Sequence, residues 1–202
     1  MATSPAGDTP RLTPRVREIV STALAVLEDH GAEALTMRRV ADQLGIRAPS
    51  LYKHLASKAE LETAVIAVGF EDLAATLERA TAGTATGGPA FAGTARDGVQ
   101  AAGPGRRLAE LGAAYRGFAL ARPHLYRLMT ERPLAREQLP PGLEDRAAAP
   151  LVTVMGGDID RARAAWAFAH GMIMLELNDR FPPGADLDAA WRAGLAAFQP
   201  GA

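Results

Sequence analysis

From Thr13 to Phe198 the apolar residues return at spacings of three and four, interrupted by Gly, Pro and short polar caps, and nowhere do they alternate as a strand requires. Such a chain can bury its hydrocarbon only by stacking helices, so an all-α fold of about nine helices is predicted. The first runs from Thr13 to His30, with Val16, Ile19, Val20, Ala23, Leu24 and Leu27 on one face. Thr13 can accept from the first orphan N–H groups, Pro14 suits the first turn, and Gly31 can take the left-handed conformation that stops the helix.

The next forty residues carry denser punctuation. Thr36 is a second cap, Met37, Val40, Ala41 and Leu44 follow on one face, and Gly45 closes this helix after about two turns. Pro49 is tolerated only in a first turn while Leu51 and Leu55 repeat at four, which predicts another short helix over 48–55. Ser57 and Glu60 form a capping box that opens a long helix to about Thr81, with Leu61, Val65, Val68, Leu73 and Leu77 on its buried side. Residues 82–105 are rich in helix breakers and read as a mobile loop. Helices are then expected up to Arg122-Pro123 and over 124–129, 144–155, 158–180 and 186–198, with a Pro-rich connection over 133–142.

Composition excludes several classes of function. Of 202 residues 48% are apolar and 22% charged, enough hydrocarbon for a sizeable core. No cysteine occurs, which removes disulfides, thiolate catalysis and Cys-ligated metal. Met1 to Pro10 contains neither a basic residue nor an apolar run, and no stretch of eighteen apolar residues follows, so a cytoplasmic protein without a membrane segment is expected. Charge is nearly balanced at −1, yet residues 1–58 hold 8 basic and 6 acidic side chains, and both lysines, Lys53 and Lys58, fall at the end of that stretch.

Once Val40, Leu44, Ile46, Leu51 and Leu55 turn inward, Ala48, Pro49, Ser50, Tyr52, Lys53 and His54 are left outward on the second short helix. Two helices meeting at a glycine with a short, polar and basic outer face have helix-turn-helix geometry, and the face suits a major groove. A glycine between short helices is by itself an ordinary αα-corner in many helical proteins, Tyr52 could be a core aromatic, and Arg38 and Arg39 could be solvated charges. The joint exposure of Ser50, Tyr52, Lys53 and His54 favours the DNA reading.

At these residues the chain resembles the tetracycline-repressor (TetR) family of bacterial regulators. The resemblance rests on the first helix with Leu35-Thr36-Met37-Arg38, Leu44-Gly45, Leu51-Tyr52-Lys53-His54-Leu55 and Lys58-Ala59-Glu60-Leu61, about a quarter of the chain. It implies that Tyr52 and His54 contact backbone phosphate and groove, that Lys58 anchors a phosphate, that Arg38 reaches a phosphate or base edge, and that Pro49 and Ser50 face bases. Arg47 departs from the pattern by standing where many members place a Ser or Thr cap. The implied domains are a flexible arm over 1–12, a DNA-binding domain over 13–57 and a helical effector-binding and dimerisation domain over 58–200. Trp166, His170 and Gly171 are similar to the signature of one effector-domain type named for Trp-His-Gly. The resemblance therefore implies a homodimeric repressor, paired through its last two long helices, that binds a pseudo-palindromic operator in double-stranded DNA and is released by a small apolar effector.

The stripe that includes Tyr115, Phe118, Tyr126, Trp166, His170 and Met174 could line that effector's cavity, though such stripes are more often core. Glu176 and Asp179 stand six and nine residues from His170 and share no helical face with it, so no metal site is expected, and no other cofactor is called for. An enzyme using His170 as a general base would lack a nucleophile, a phosphate loop and an oxyanion motif, so none is expected. A helical scaffold would leave the basic corner without a purpose.

Overall fold

A computed structural model describes residues 13–82 and 103–199, so the expected arm over 1–12 and most of the expected loop over 82–105 lie outside the described residues. Within them the chain forms nine α-helices and no strand: α1 (Pro14–His30), α2 (Met37–Gln43), α3 (Ala48–Leu51), α4 (Lys58–Ala82), α5 (Pro104–Ala121), α6 (Pro123–Thr130), α7 (Leu143–Val154), α8 (Ile159–Leu177) and α9 (Leu187–Ala196). No described helix is long and apolar enough to cross a membrane. The described chain divides into two compact units, one of residues up to Phe70 together with Arg122–Glu144, the other of Glu71–Ala121 together with Asp145 onward.

In the first unit the expected caps form. Thr13 Oγ1 accepts from the Val16 N–H and Thr36 Oγ1 from the Arg39 N–H, each at 3.2 Å. Ser57 Oγ accepts from the Glu60 N–H at 3.1 Å, while the Glu60 carboxylate reaches one residue further back than the box predicts, to the Ala56 N–H at 2.8 Å. Ile19, Val20, Ala23, Val26 and Leu27 of α1 are buried with Val40 and Ala41 of α2 and with Leu51. Two expected core positions, Leu44 and Ile46, are only half-buried, and on α4 Ala67 is buried where Val68 was expected. Arg122 stands at the N-cap of α6 and its side chain does not accept from the first turn; that place is taken across the unit, where Glu28 Oε1 of α1 accepts from the Leu125 N–H at 2.8 Å. A carboxylate at a helix N-terminus meets both an orphan donor and the positive end of the dipole.

In the second unit α5 packs against α8 and α9. Asp158 and Asp186 cap α8 and α9 through the N–H groups of Arg161 and Ala189. The α8 helix stops at Leu177, three residues before the expected end, because Asp179 adopts φ 50° and the Arg180 N–H turns back to the Leu175 carbonyl. Aspartate tolerates this left-handed conformation better than most residues. A polar tie joins the three helices: Arg116 of α5 pairs with Glu176 of α8 at 2.8 Å and Asp188 of α9 at 2.6 Å, and the Trp191 indole N–H donates to Glu176. The Glu176 side chain is only 6% exposed. The hydrogen bond from Arg116, and then its charge, holds the Asp188 carboxyl below the usual aspartate range.

Gly45 sits at φ 66° with open space where a Cβ would stand, so Gly45→Ala should lower stability by about 1–2 kcal/mol through backbone strain alone, and Gly45→Asn by less, as read from urea unfolding midpoints. Arg116→Met strands a buried carboxylate with only the indole as donor, and should cost about 3 kcal/mol in the same measurement. Because Asp188 titrates lower when folded than when unfolded, its share of the tie is present above the ordinary aspartate range and lost as pH falls below it. The wild-type protein should therefore show a steeper acid loss than Arg116→Met.

Candidate nucleic-acid interface

The candidate interface is built by a turn and a very short helix. After α2 the Gly45 N–H donates to the Asp42 carbonyl at 3.1 Å and the Ile46 N–H to the Ala41 carbonyl at 3.0 Å, the paired bonds of a Schellman stop with glycine in the left-handed position. The chain then re-enters helix at Ala48 with Pro49 in its first turn. Regular helix lasts only to Leu51, shorter than the predicted 48–55. Beyond it the Leu51 carbonyl accepts from both the His54 and Leu55 N–H groups, a shared bond that tightens the last turn.

Four helical residues do not persist by propensity. Arg47 stands at the N-cap with no side-chain bond, so the cap contribution of about 1 kcal/mol is missing. Against this, Leu51 is wholly buried and Leu55 is 8% exposed, each worth about 2 kcal/mol, so apolar anchoring outweighs the absent cap. The same anchoring orients everything else. With Leu51 and Leu55 inward, Pro49, Ser50, Lys53 and His54 are exposed and Tyr52 is 49% exposed, while Ala48 is half-buried.

The remaining members of the predicted set flank this rim. Arg47 is exposed immediately before α3. The Arg38 side chain, 89% exposed in the first turn of α2, has Asp42 only at 3.9 Å. Lys58 opens α4 with its ammonium 3.5 Å from Glu62. Residues 36–58 contain Arg38, Arg39, Arg47, Lys53 and Lys58 against the single carboxylate of Asp42, a net of +4 within a chain of net −1. An outward surface of small, aromatic and cationic side chains on a short helix can enter a groove and neutralise phosphates on either side.

The predicted effector set is divided between the two units. Tyr115, Phe118, Trp166, His170 and Met174 belong to the second unit, while Tyr126 belongs to the first, where it is fully buried. Tyr115 and Phe118 are buried, and the Trp166 indole N–H donates to the Tyr115 hydroxyl at 3.1 Å. The Trp166 and His170 rings stack with centroids 5.8 Å apart, and Met174 is half-buried one turn beyond. Trp166 itself is 49% exposed, so it forms a surface edge as much as an inner wall. Among the described residues no three His, Cys, Asp or Glu side chains converge as a metal site would need. A cavity with a half-buried carboxylate, Glu62, in its wall lies in the first unit, and sequence reading missed it because its walls come from segments some seventy residues apart.

Comparison with known proteins agrees with this geometry at both ends of the chain. Residues 19–65 match the model of the bacterial regulatory proteins of the tetR family, and residues 108–198 match a tetracyclin repressor-like C-terminal domain. An uncharacterised HTH-type transcriptional regulator of Mycobacterium tuberculosis is 32% identical over 168 residues, 79% of this chain and 69% of that one. The chain spans about 56% of the length of other mycobacterial HTH-type regulators that it matches. Among solved structures, a protein of unknown function from Rhodococcus sp. RHA1 is 25% identical with a TM-score of 0.67, covering 90% of this chain and 92% of its own. The multidrug binding protein EbrR, solved with imidazole, shares the fold at a TM-score of 0.61 and 20% identity, covering 93% and 96%. With a helix-turn-helix whose cationic rim faces outward and a relative matched over most of its length, the chain belongs to the TetR family of transcriptional regulators.

Proposed function

We propose that this regulator is a homodimeric repressor that holds a pseudo-palindromic operator and lets it go when a small apolar molecule binds. The observation that carries the proposal is the outward rim of Pro49, Ser50, Tyr52, Lys53 and His54, held by the burial of Leu51 and Leu55. In this reading residues 13–57 bind DNA. Pro49 and Ser50 face base edges. Tyr52, Lys53 and His54 meet groove and backbone, Arg38 and Arg47 reach phosphate or a guanine edge, and Lys58 takes a phosphate at the positive end of α4.

Residues 58–200 then carry effector binding and pairing. Of the five large apolar side chains exposed among the described residues, Ile159, Trp166 and Leu175 lie on α8. Ile159 and Trp166, seven residues apart, share a face of α8 that Leu175 does not, and apolar surface on that face is what a second copy would cover. Two recognition helices held this way enter successive major grooves, with half-sites about 10 bp apart or somewhat more. A ligand among Tyr115, Phe118, His170 and Met174 that prefers a spread-apart dimer shifts the population toward a spacing that no longer matches the groove, and affinity falls by that preference. The multidrug binding protein that shares the fold supports a small-molecule effector.

Two measurements test the reading. By fluorescence anisotropy on duplex from the protein's own promoter, Lys58→Ala should weaken every sequence alike and make the salt slope shallower by about 1, whereas Ser50→Ala should change preference at one base position. Equal, sequence-independent losses from both variants would refute the assignment. In light scattering the wild-type protein should run at twice its chain mass and Trp166→Asp at the chain mass, with duplex retention lost alongside. A monomeric wild type that still retained duplex would overturn the dimer.

A further inference from the structure

The cavity in the first unit has a volume of about 210 Å³, is partly open to solvent and is lined by the opening turns of α4, the end of α6 and the connection that follows, with Ile66, Leu128, Met129 and Leu134 among its apolar walls. The Thr63 hydroxyl donates to Gln138 Oε1 at 3.3 Å, so these two polar wall residues are partnered to each other. Glu62 is different. Its side chain is 17% exposed, yet Oε1 is shut off from solvent and receives no hydrogen bond. The nearest cations are Lys58, 3.5 Å from Oε1, and Arg132, 3.6 Å from Oε2, both with side chains 43% or more exposed. They offset the carboxylate's charge from the rim without supplying the donor that a buried oxygen needs.

We propose that this cavity binds a small primary amine, its apolar body against Ile66, Leu128 and Leu134 and its ammonium donating to Glu62 Oε1. Size favours this ligand, because a cavity of about 150 Å³ in another protein's interior already holds a benzene ring, and the extra volume here takes a short aminoalkyl arm. The chemistry favours it as well: the wall oxygen that receives no hydrogen bond, paired with Lys58 only through charge, is an acceptor. An anion would find the Lys58 and Arg132 heads at the solvent edge and a carboxylate within.

Occupancy bears on the DNA rim. An ammonium at Oε1 takes the place of Lys58, one turn back on α4, and leaves that lysine free for a phosphate, so amine and duplex each tighten the other. This consequence rests on Lys58 contacting DNA, whereas the binding of the amine does not.

Isothermal titration of the full chain with benzylamine, and with neutral benzyl alcohol as the matched control, tests the site without DNA. The expected result is saturable one-site binding of benzylamine, at least 10-fold weaker binding of the alcohol, and at least a 10-fold loss in Glu62→Gln. Ala135→Phe, which fills the cavity from the surface connection, should lose both ligands, and circular dichroism shows which variants are folded. No benzylamine binding by the wild type, equal affinity for amine and alcohol, or unchanged amine affinity in either folded variant overturns the proposal. Duplex retention without amine is read separately, so failure of the DNA reading and failure of the amine site give different results.

Discussion

Burial of Leu51 and Leu55 is the constraint on which the DNA-facing part of this protein depends. The helix that carries the rim is four residues long and uncapped, so its shape comes from what holds it down and not from its own hydrogen bonds. Two leucines one turn apart set the rotation of the helix, and rotation decides which side chains meet solvent. Pro49, Ser50, Lys53 and His54 are outward because their neighbours on the other face have no other place to go. Specificity in such a design is a by-product of packing: a shift of one residue in the apolar pair would turn the cationic rim into the core.

The second unit is organised on different terms. Its helices also bury apolar side chains, but the tie among α5, α8 and α9 is ionic, with Arg116 serving two carboxylates and lying 5.7 Å from the centre of the Trp191 ring. A half-hidden guanidinium shared between two acids specifies geometry more sharply than leucine contacts do, because its donors are directional. It also places the cost of error on one residue, since a stranded buried carboxylate outweighs the loss of several surface ion pairs. The exposed bidentate pair between Arg146 and Glu78 illustrates the contrast, being open to water and to screening by salt.

Much of the fold was legible from residue order because the signals were local. Thr13, Thr36, Ser57, Asp158 and Asp186 each act within three residues of themselves, and their caps lie where side-chain chemistry puts them. Gly45 was legible for the same reason. Errors arose where a distant partner competed with a local pattern, or where a backbone turn cut a periodic run short. Val68 lay on the apolar face of α4 by spacing, but Ala67 is the residue that packs into the cluster with Leu139 and Leu143. Asp179 ended α8 early through a left-handed turn that periodicity does not encode.

The sequence by itself determined the all-α class, the capped helix starts, the helix-turn-helix and the character of its outer face, since each of these is set by side chains acting on backbone only a few residues away. Tertiary structure alone decided that Glu28 would cap a helix ninety-seven residues later, that Phe168 would lie over Gly194 where a Cβ would come within 2.0 Å of its ring, and that Glu62 Oε1 would sit in a cavity wall without a hydrogen bond. Each of these joins segments whose separation along the chain carries no information about their distance in space. Only the packed arrangement fixes which buried polar group meets a partner and which does not.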